Sequence, residues 1–215
     1  MPRFLFASDS LKGTLSSAQT AELLAAAAGL PLVAPAERDV EAASTAGVGE
    51  LVSDALDHGS RDVTIALGGS ATNDGGMGRM RALGFRLLGA GREELAGRGG
   101  DLALVRAIDR SHADARLGRT SFTVMCDVDN PLLGPNGATR TFAPQKGADA
   151  ARVERLERGM ANYCRVLRRT ARSRPASPPR APGRACRAWP SWAPWSPAPC
   201  PRRASRRSSP PRAVP

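Results

Sequence analysis

Lysine is nearly missing from this chain. Its 215 residues hold only Lys12 and Lys146, against 29 arginines. Charged surface positions are filled by Arg, so a retained Lys points to a place that favours a compact ammonium, such as phosphate oxygens. Histidine is also scarce, and His58 and His112 stand alone in polar stretches; both read as surface residues. The four cysteines, Cys126, Cys164, Cys186 and Cys200, show no metal-ligand spacing. That argues against a disulfide scaffold or a zinc module and predicts a reduced, cytoplasmic setting. No apolar run reaches membrane-spanning length. The start of the chain has a strand pattern rather than that of a secretory signal.

Other absences are concentrated at one end. Residues 171–215 contain no Leu, Ile, Phe, Tyr, Met, Lys, Asp or Glu, but ten Arg, twelve of the 18 prolines and all three tryptophans. They carry +10 of the formal +11, which leaves the first 170 residues at +1. With no hydrophobic face to build, this tail is expected to be disordered. Its vocabulary is that of a GC-rich gene read out of frame. Back-translating residues 188–196 and starting at each codon's third base gives an aliphatic, glycine-containing peptide, which predicts a frameshift near Thr170. The competing reading is an arm for nucleic acid, with Arg pairs at 202–203 and 206–207 and Trp for stacking. Nothing before the tail resembles a nucleic-acid module, and the near-neutral body offers no supporting surface. No specific nucleic-acid partner is expected, only salt-sensitive, non-specific binding.

The first 170 residues suffice for one domain with a sizeable core. Residues 3–8, 62–67 and 121–126 read as strands, the last of them buried, and 85–88 as a further strand. Residues 17–27 predict a helix. Val48, Leu51, Val52, Ala55 and Leu56 recur at helical spacing up to a stop at Gly59. A helix over 75–83 ends at Gly84 as its C-cap, and 89–101 is a glycine-rich loop. Val153, Leu156, Met160, Tyr163 and Leu167 mark a long amphipathic helix running into the tail. This alternation predicts an α/β fold, a parallel sheet flanked by helices with ligands at the carboxyl ends of the strands.

Between strand 62–67 and helix 75–83 lies Gly68-Gly69-Ser70-Ala71-Thr72-Asn73-Asp74-Gly75-Gly76. A strand that breaks into glycines and then starts a helix presents backbone N–H groups at a positive helix end, suited to phosphate or carboxylate. The glycines allow close approach, and Asn73 and Asp74 offer a cap or a metal-facing carboxylate. A tight turn without a ligand is the plainer alternative. Three more segments accompany this loop: Asp9-Ser10-Leu11-Lys12, Cys126-Asp127-Val128-Asp129-Asn130-Pro131-Leu132, and Pro144-Gln145-Lys146-Gly147-Ala148. Together, and in this order, the four resemble the bacterial glycerate kinase family of the glycerate 2-kinase type.

The resemblance implies two α/β domains with the site between them, and phosphorylation of glycerate to 2-phosphoglycerate by ATP with Mg²⁺. The partners would be small molecules, with no membrane involved. It covers residues 3–24 and 25–169 and is interrupted between Leu24 and Ala25. A long family segment with an Ala-Asp-Gly-Gly-Glu-Gly-Thr motif is missing there. The loop at 44–50 also has Ala46 and Val48 where the family pattern has Arg and Thr. Both domains would therefore be incomplete, and little or no turnover is expected.

Phosphoryl transfer needs cations and dipoles around the transferred group and an oriented hydroxyl. Asp9, Asp74 and Asp127 each follow an apolar strand, which places them at the sheet's ligand edge. One would hold Mg²⁺ through water and another would orient or deprotonate the glycerate hydroxyl, with no individual roles assigned. Helix capping is the alternative for each, above all for Asp74. The expected catalytic set is Asp9, Lys12 and Asp127. Substrate and phosphate contacts are expected from Ser10, Gly68, Gly69, Ser70, Asn73, Asp74, Gly75, Asn130, Arg140, Gln145 and Lys146. Arg140 would grip the glycerate carboxylate with two bonds, or else be an ordinary solvated charge.

Overall fold

The computed structural model describes residues 4–7, 24–25, 27–126 and 128–172. In chain order the main elements are β1 (Phe4–Ala7), β2 (Leu24–Ala25), α1 (Ala46–Asp57), β3 (Asp62–Leu67), α2 (Met77–Ala82), β4 (Arg86–Leu88), β5 (Ala107–Asp109), β6 (Ser121–Cys126), α3 (Ala138–Phe142) and α4 (Ala150–Arg172). Four strands form a parallel sheet in the order β2-β1-β3-β6, while β4 and β5 make a separate antiparallel pair. Ala7 pairs with Ala66, and Leu67 with Cys126. Parallel register thus brings the carboxyl ends of β1, β3 and β6 to one sheet edge.

The core forms on the central strand and the helices that periodicity located. Val63 and Ile65 of β3, Val52 and Leu56 of α1, and Met77 and Met80 of α2 are buried in one cluster. The α4 helix adds Val153, Leu156, Met160, Tyr163 and Leu167, the predicted stripe. Each such side chain removed from water contributes about 1.5–3 kcal/mol. The hydroxyl of Tyr163 donates to Met80 Sδ at 3.1 Å. Asn162 fixes the far side of α4 by donating to the carbonyls of Leu102 and Val105, both at 3.0 Å. Gly84 ends α2 at φ +87°, with its N–H donating to the Arg81 carbonyl.

Three expectations change. The helix predicted over 17–27 gives way at Leu24–Ala25 to strand β2, paired with Leu5 and Phe6 of β1. Local alanine-rich propensity is a weak preference that ladder hydrogen bonding overrides. Residues 8–23 lie outside the described residues. The strand at 121–126 exists, but it is not buried: Val124 and Met125 are 48% and 45% exposed. It is the last strand of the sheet, and among the described residues none pairs with its other edge. The strand at 85–88 also exists, as β4, but outside the main sheet. Strand β5 and helix α3 carry no clear sequence signal. Both histidines are exposed, as expected. Among the described residues no helix is long and apolar enough to cross a membrane.

Candidate active-site cavity

Beyond Leu67 the chain enters the glycine loop, which walls a cavity of about 300 Å³. Gly68, Gly69, Ser70, Asn73, Asp74 and Gly75 all line it, together with Thr45 just before α1, Val48 of α1, Arg79 of α2, Thr139 of α3, Gln145, Lys146 and Met160. Gly69, Gly75 and Gly76 adopt φ of +51°, +61° and +78°, conformations that a side chain would strain. At Gly75 an added Cβ would also lie 3.0 Å from the Tyr163 ring. The loop's other flank is zipped to the segment after β2. Ala71 N–H donates to the Ala28 carbonyl at 2.8 Å, and Leu30 N–H to the Gly69 carbonyl at 2.6 Å.

Asp74 is the keystone of the loop. Its Oδ2 accepts from the Thr45 backbone N–H at 2.8 Å, the Thr45 hydroxyl at 2.7 Å and Gly78 N–H at 3.1 Å. Its Oδ1 accepts from Gly76 N–H at 2.9 Å. Of the two readings open for this residue, the geometry is that of a cap. The carboxylate closes the first turn of α2 and latches it to the start of α1. The positive helix end expected to attract a ligand anion is therefore filled from within, and α2 is only six residues long.

Lys146 comes from the turn Pro144–Lys146, which closes at Gly147 with φ +92°. Only 7% of the residue is exposed. Its ammonium donates to the Thr72 carbonyl at 2.7 Å and to the Ser70 hydroxyl at 3.1 Å. Burial pulls its pKa down to about 8, with the Asp74 charge opposing that shift. The motif at 144–148 and the glycine loop, far apart in sequence, thus meet through this one side chain.

The remaining expected residues divide. Asn73 faces the cavity and donates to the Thr139 hydroxyl at 3.4 Å. Gln145 lines it, while its carbonyl accepts from Arg38 at 3.2 Å. Asn130 is not among the lining residues; its amide donates to the Asn136 carbonyl at 3.0 Å and holds the turn before α3. Arg140 is turned away as well, its guanidinium forked onto Glu154 of α4. The expected grip on a ligand carboxylate is thereby replaced by an intramolecular pair, which raises the Arg140 pKa. Asp9, Ser10, Lys12 and Asp127 lie outside the described residues.

Thr45, Thr139 and Arg79 are polar lining residues that the sequence does not single out, and Arg79 is the charged one. Met77, Met80 and Leu83 mark the core face of α2, which consigns Arg79 to solvent by periodicity alone. Its side chain instead borders the cavity, and desolvation lowers its pKa. Among the described residues no group of three His, Cys, Asp or Glu side chains fits a metal ion. Asp74, the one carboxylate among the described residues of the cavity wall, already accepts four hydrogen bonds and does not suit direct ligation of Mg²⁺.

Comparison with known proteins meets this geometry. The model of the glycerate kinase family matches residues 23–185. The chain is 44% identical over 146 residues to glycerate 2-kinase of Escherichia coli (strain K12), covering 68% of this chain and 38% of that protein. It is 45% identical over 152 residues to glycerate kinase of Bacillus subtilis (strain 168), covering 70% and 40%. A crystal structure assigned to glycerate kinase 2 of Salmonella typhimurium LT2 superposes with a TM-score of 0.68 at 39% identity, covering 78% of this chain and 41% of that one. The chain spans about two fifths of the length of the curated relatives it matches. The match also begins after the Asp9–Lys12 motif and ends inside the arginine-rich tail. A parallel sheet, a glycine loop latched by Asp74 and a buried lysine from a distant turn, together with these similarities, place the chain in the glycerate kinase family.

Proposed function

We propose that this chain carries part of a site for ATP-dependent phosphorylation of glycerate to 2-phosphoglycerate, with Mg²⁺ accompanying the nucleotide. The observation that supports this reading is the meeting of Lys146 with Ser70 and Thr72 of the glycine loop at the carboxyl edge of a parallel sheet. A buried ammonium beside backbone held in glycine-only conformations is suited to phosphoryl oxygens, whose charge spreads during transfer. Burial keeps the ammonium poorly hydrated, so an arriving anion displaces little water. No step is assigned to the metal, because Asp74, the carboxylate that the described cavity wall offers, already accepts four hydrogen bonds.

The proposed roles of Asp9, Lys12 and Asp127 follow from the motifs alone: orientation of the glycerate hydroxyl and neutralisation of the transferred charge. Turnover by the chain as it stands should be low, since the acidic glycine motif is missing and catalysis by positioning fails when a wall of the site is absent. The test uses the purified full chain. MgATP or glycerate should raise its melting temperature, while glycerate-dependent ADP release should stay at the level of a Lys12→Ala variant. Vigorous ADP release that is abolished in Lys12→Ala or Asp127→Asn would overturn the expected inactivity. Failure of both ligands to stabilise the chain would overturn the kinase reading itself.

A further inference from the structure

Three charged side chains line the cavity among the described residues: Asp74, Arg79 and Lys146. Among these described residues two cations stand against one carboxylate, a balance of one positive charge. The Asp74 oxygens are taken by Thr45, Gly76 and Gly78. Lys146 spends two of its three donors on Ser70 and the Thr72 carbonyl, which leaves one for a ligand oxygen. Arg79 is different. Its backbone N–H donates to the Thr45 hydroxyl at 3.0 Å, which fixes where the residue stands. Its guanidinium, however, makes no hydrogen bond or ion pair among the described residues. Five N–H donors on a permanently charged, half-buried group at the cavity wall are therefore open to a ligand.

The surroundings select what Arg79 would take. Val48 of α1 and Met160 of α4 line the same cavity, and Tyr163 is buried beside Gly75 of its loop. Apolar neighbours exclude water and strengthen a charged pair. The planar fork of guanidinium matches the two oxygens of a carboxylate, whereas the ammonium of Lys146 is a point charge suited to phosphoryl oxygens. Arg140, the other candidate, is occupied by Glu154. We propose that Arg79 receives the carboxylate of the substrate in a bidentate pair, while Lys146 and the glycine loop take the phosphoryl end. This assignment rests on the kinase reading above and specifies which end of the ligand lies against α2.

Thermal shift and calorimetric titration of the full chain test the assignment, using D-glycerate, glycerol and MgATP as probes. Glycerate should stabilise the wild-type chain and glycerol, which lacks the carboxylate, should not. Arg79→Met should weaken glycerate binding roughly tenfold or more and leave the MgATP shift intact. Arg79→Lys keeps the charge without the fork and should fall between the two, which keeps the test valid if the Met variant folds poorly. Arg140→Gln should bind glycerate as the wild type does. Undiminished glycerate binding in both Arg79 variants, or its loss in Arg140→Gln, would overturn the assignment. A chain stabilised by MgATP but indifferent to glycerate would overturn it while leaving nucleotide binding standing. A chain indifferent to both would overturn the kinase reading and this assignment with it.

Discussion

At Lys146 the cost of burying a charge is set against what that charge can hold. Its pKa in the folded chain, about 8, lies below the ordinary lysine value of 10.5. Between those two values the unfolded chain binds more protons, so stability rises with pH across that window. Below about pH 8 the full penalty of the buried ammonium is present. The wild-type chain is therefore expected to gain about 2–3 kcal/mol on Lys146→Met between pH 7 and pH 10.5, read from urea denaturation of both chains. A pH-independent difference would mean that the ammonium is better solvated than its burial implies. Asp74 sets a second residue-scale expectation. Asparagine offers one acceptor oxygen where the carboxylate serves four donors. Asp74→Asn should cost about 2–4 kcal/mol, seen as a lowered denaturation midpoint. Thr45→Ala should then add little in the Asp74→Asn background, because both changes break the same latch.

Helices α1 and α2 meet through the absence of a side chain. A Cβ at Gly49 would sit 2.6 Å from both the Ala82 Cβ and the Arg79 carbonyl oxygen. Gly49→Ala improves helix propensity by about 1 kcal/mol, yet it must push α1 off α2, at a cost of about 1–3 kcal/mol. A lowered melting temperature is expected; a raised one would mean that the two helices are free to separate. The same elements show what sequence makes legible. The stripes of α1 and α4 and the apolar run of β3 repeat at their own periods, so their existence follows from local pattern. The glycine loop was readable because few residues tolerate positive φ. Exposure of β6 was not readable, since an apolar strand looks the same whether or not anything covers it. The pairing of β4 with β5 depends on register between distant segments. Arg79 was lost because periodicity distinguishes core from everything else, and a cavity wall belongs to the second group. Asp74 was seen but its duty was ambiguous, and only the position of Thr45 resolves it.

Charge divides the molecule as a whole. Removing residues 171–215 lowers the formal net charge from +11 to +1. The full chain should be retained on RNA at low salt and released steeply as salt rises, whereas the chain cut after Thr170 should not be retained. Retention by the shortened chain would instead locate a binding surface on the folded body. The apolar residues Val124 and Met125 of its last strand, and Val128 just beyond it, remain exposed on that body, a liability for self-association in either version. The scarcity of lysine has a practical side as well. At mildly alkaline pH an amine with a pKa near 8 is largely free base, while an ordinary lysine is almost wholly protonated. With a single other lysine in the chain to compete, amine acylation becomes a footprint of the cavity. A covalent tag at Lys146 records an empty pocket, and an untouched amine records one that was filled.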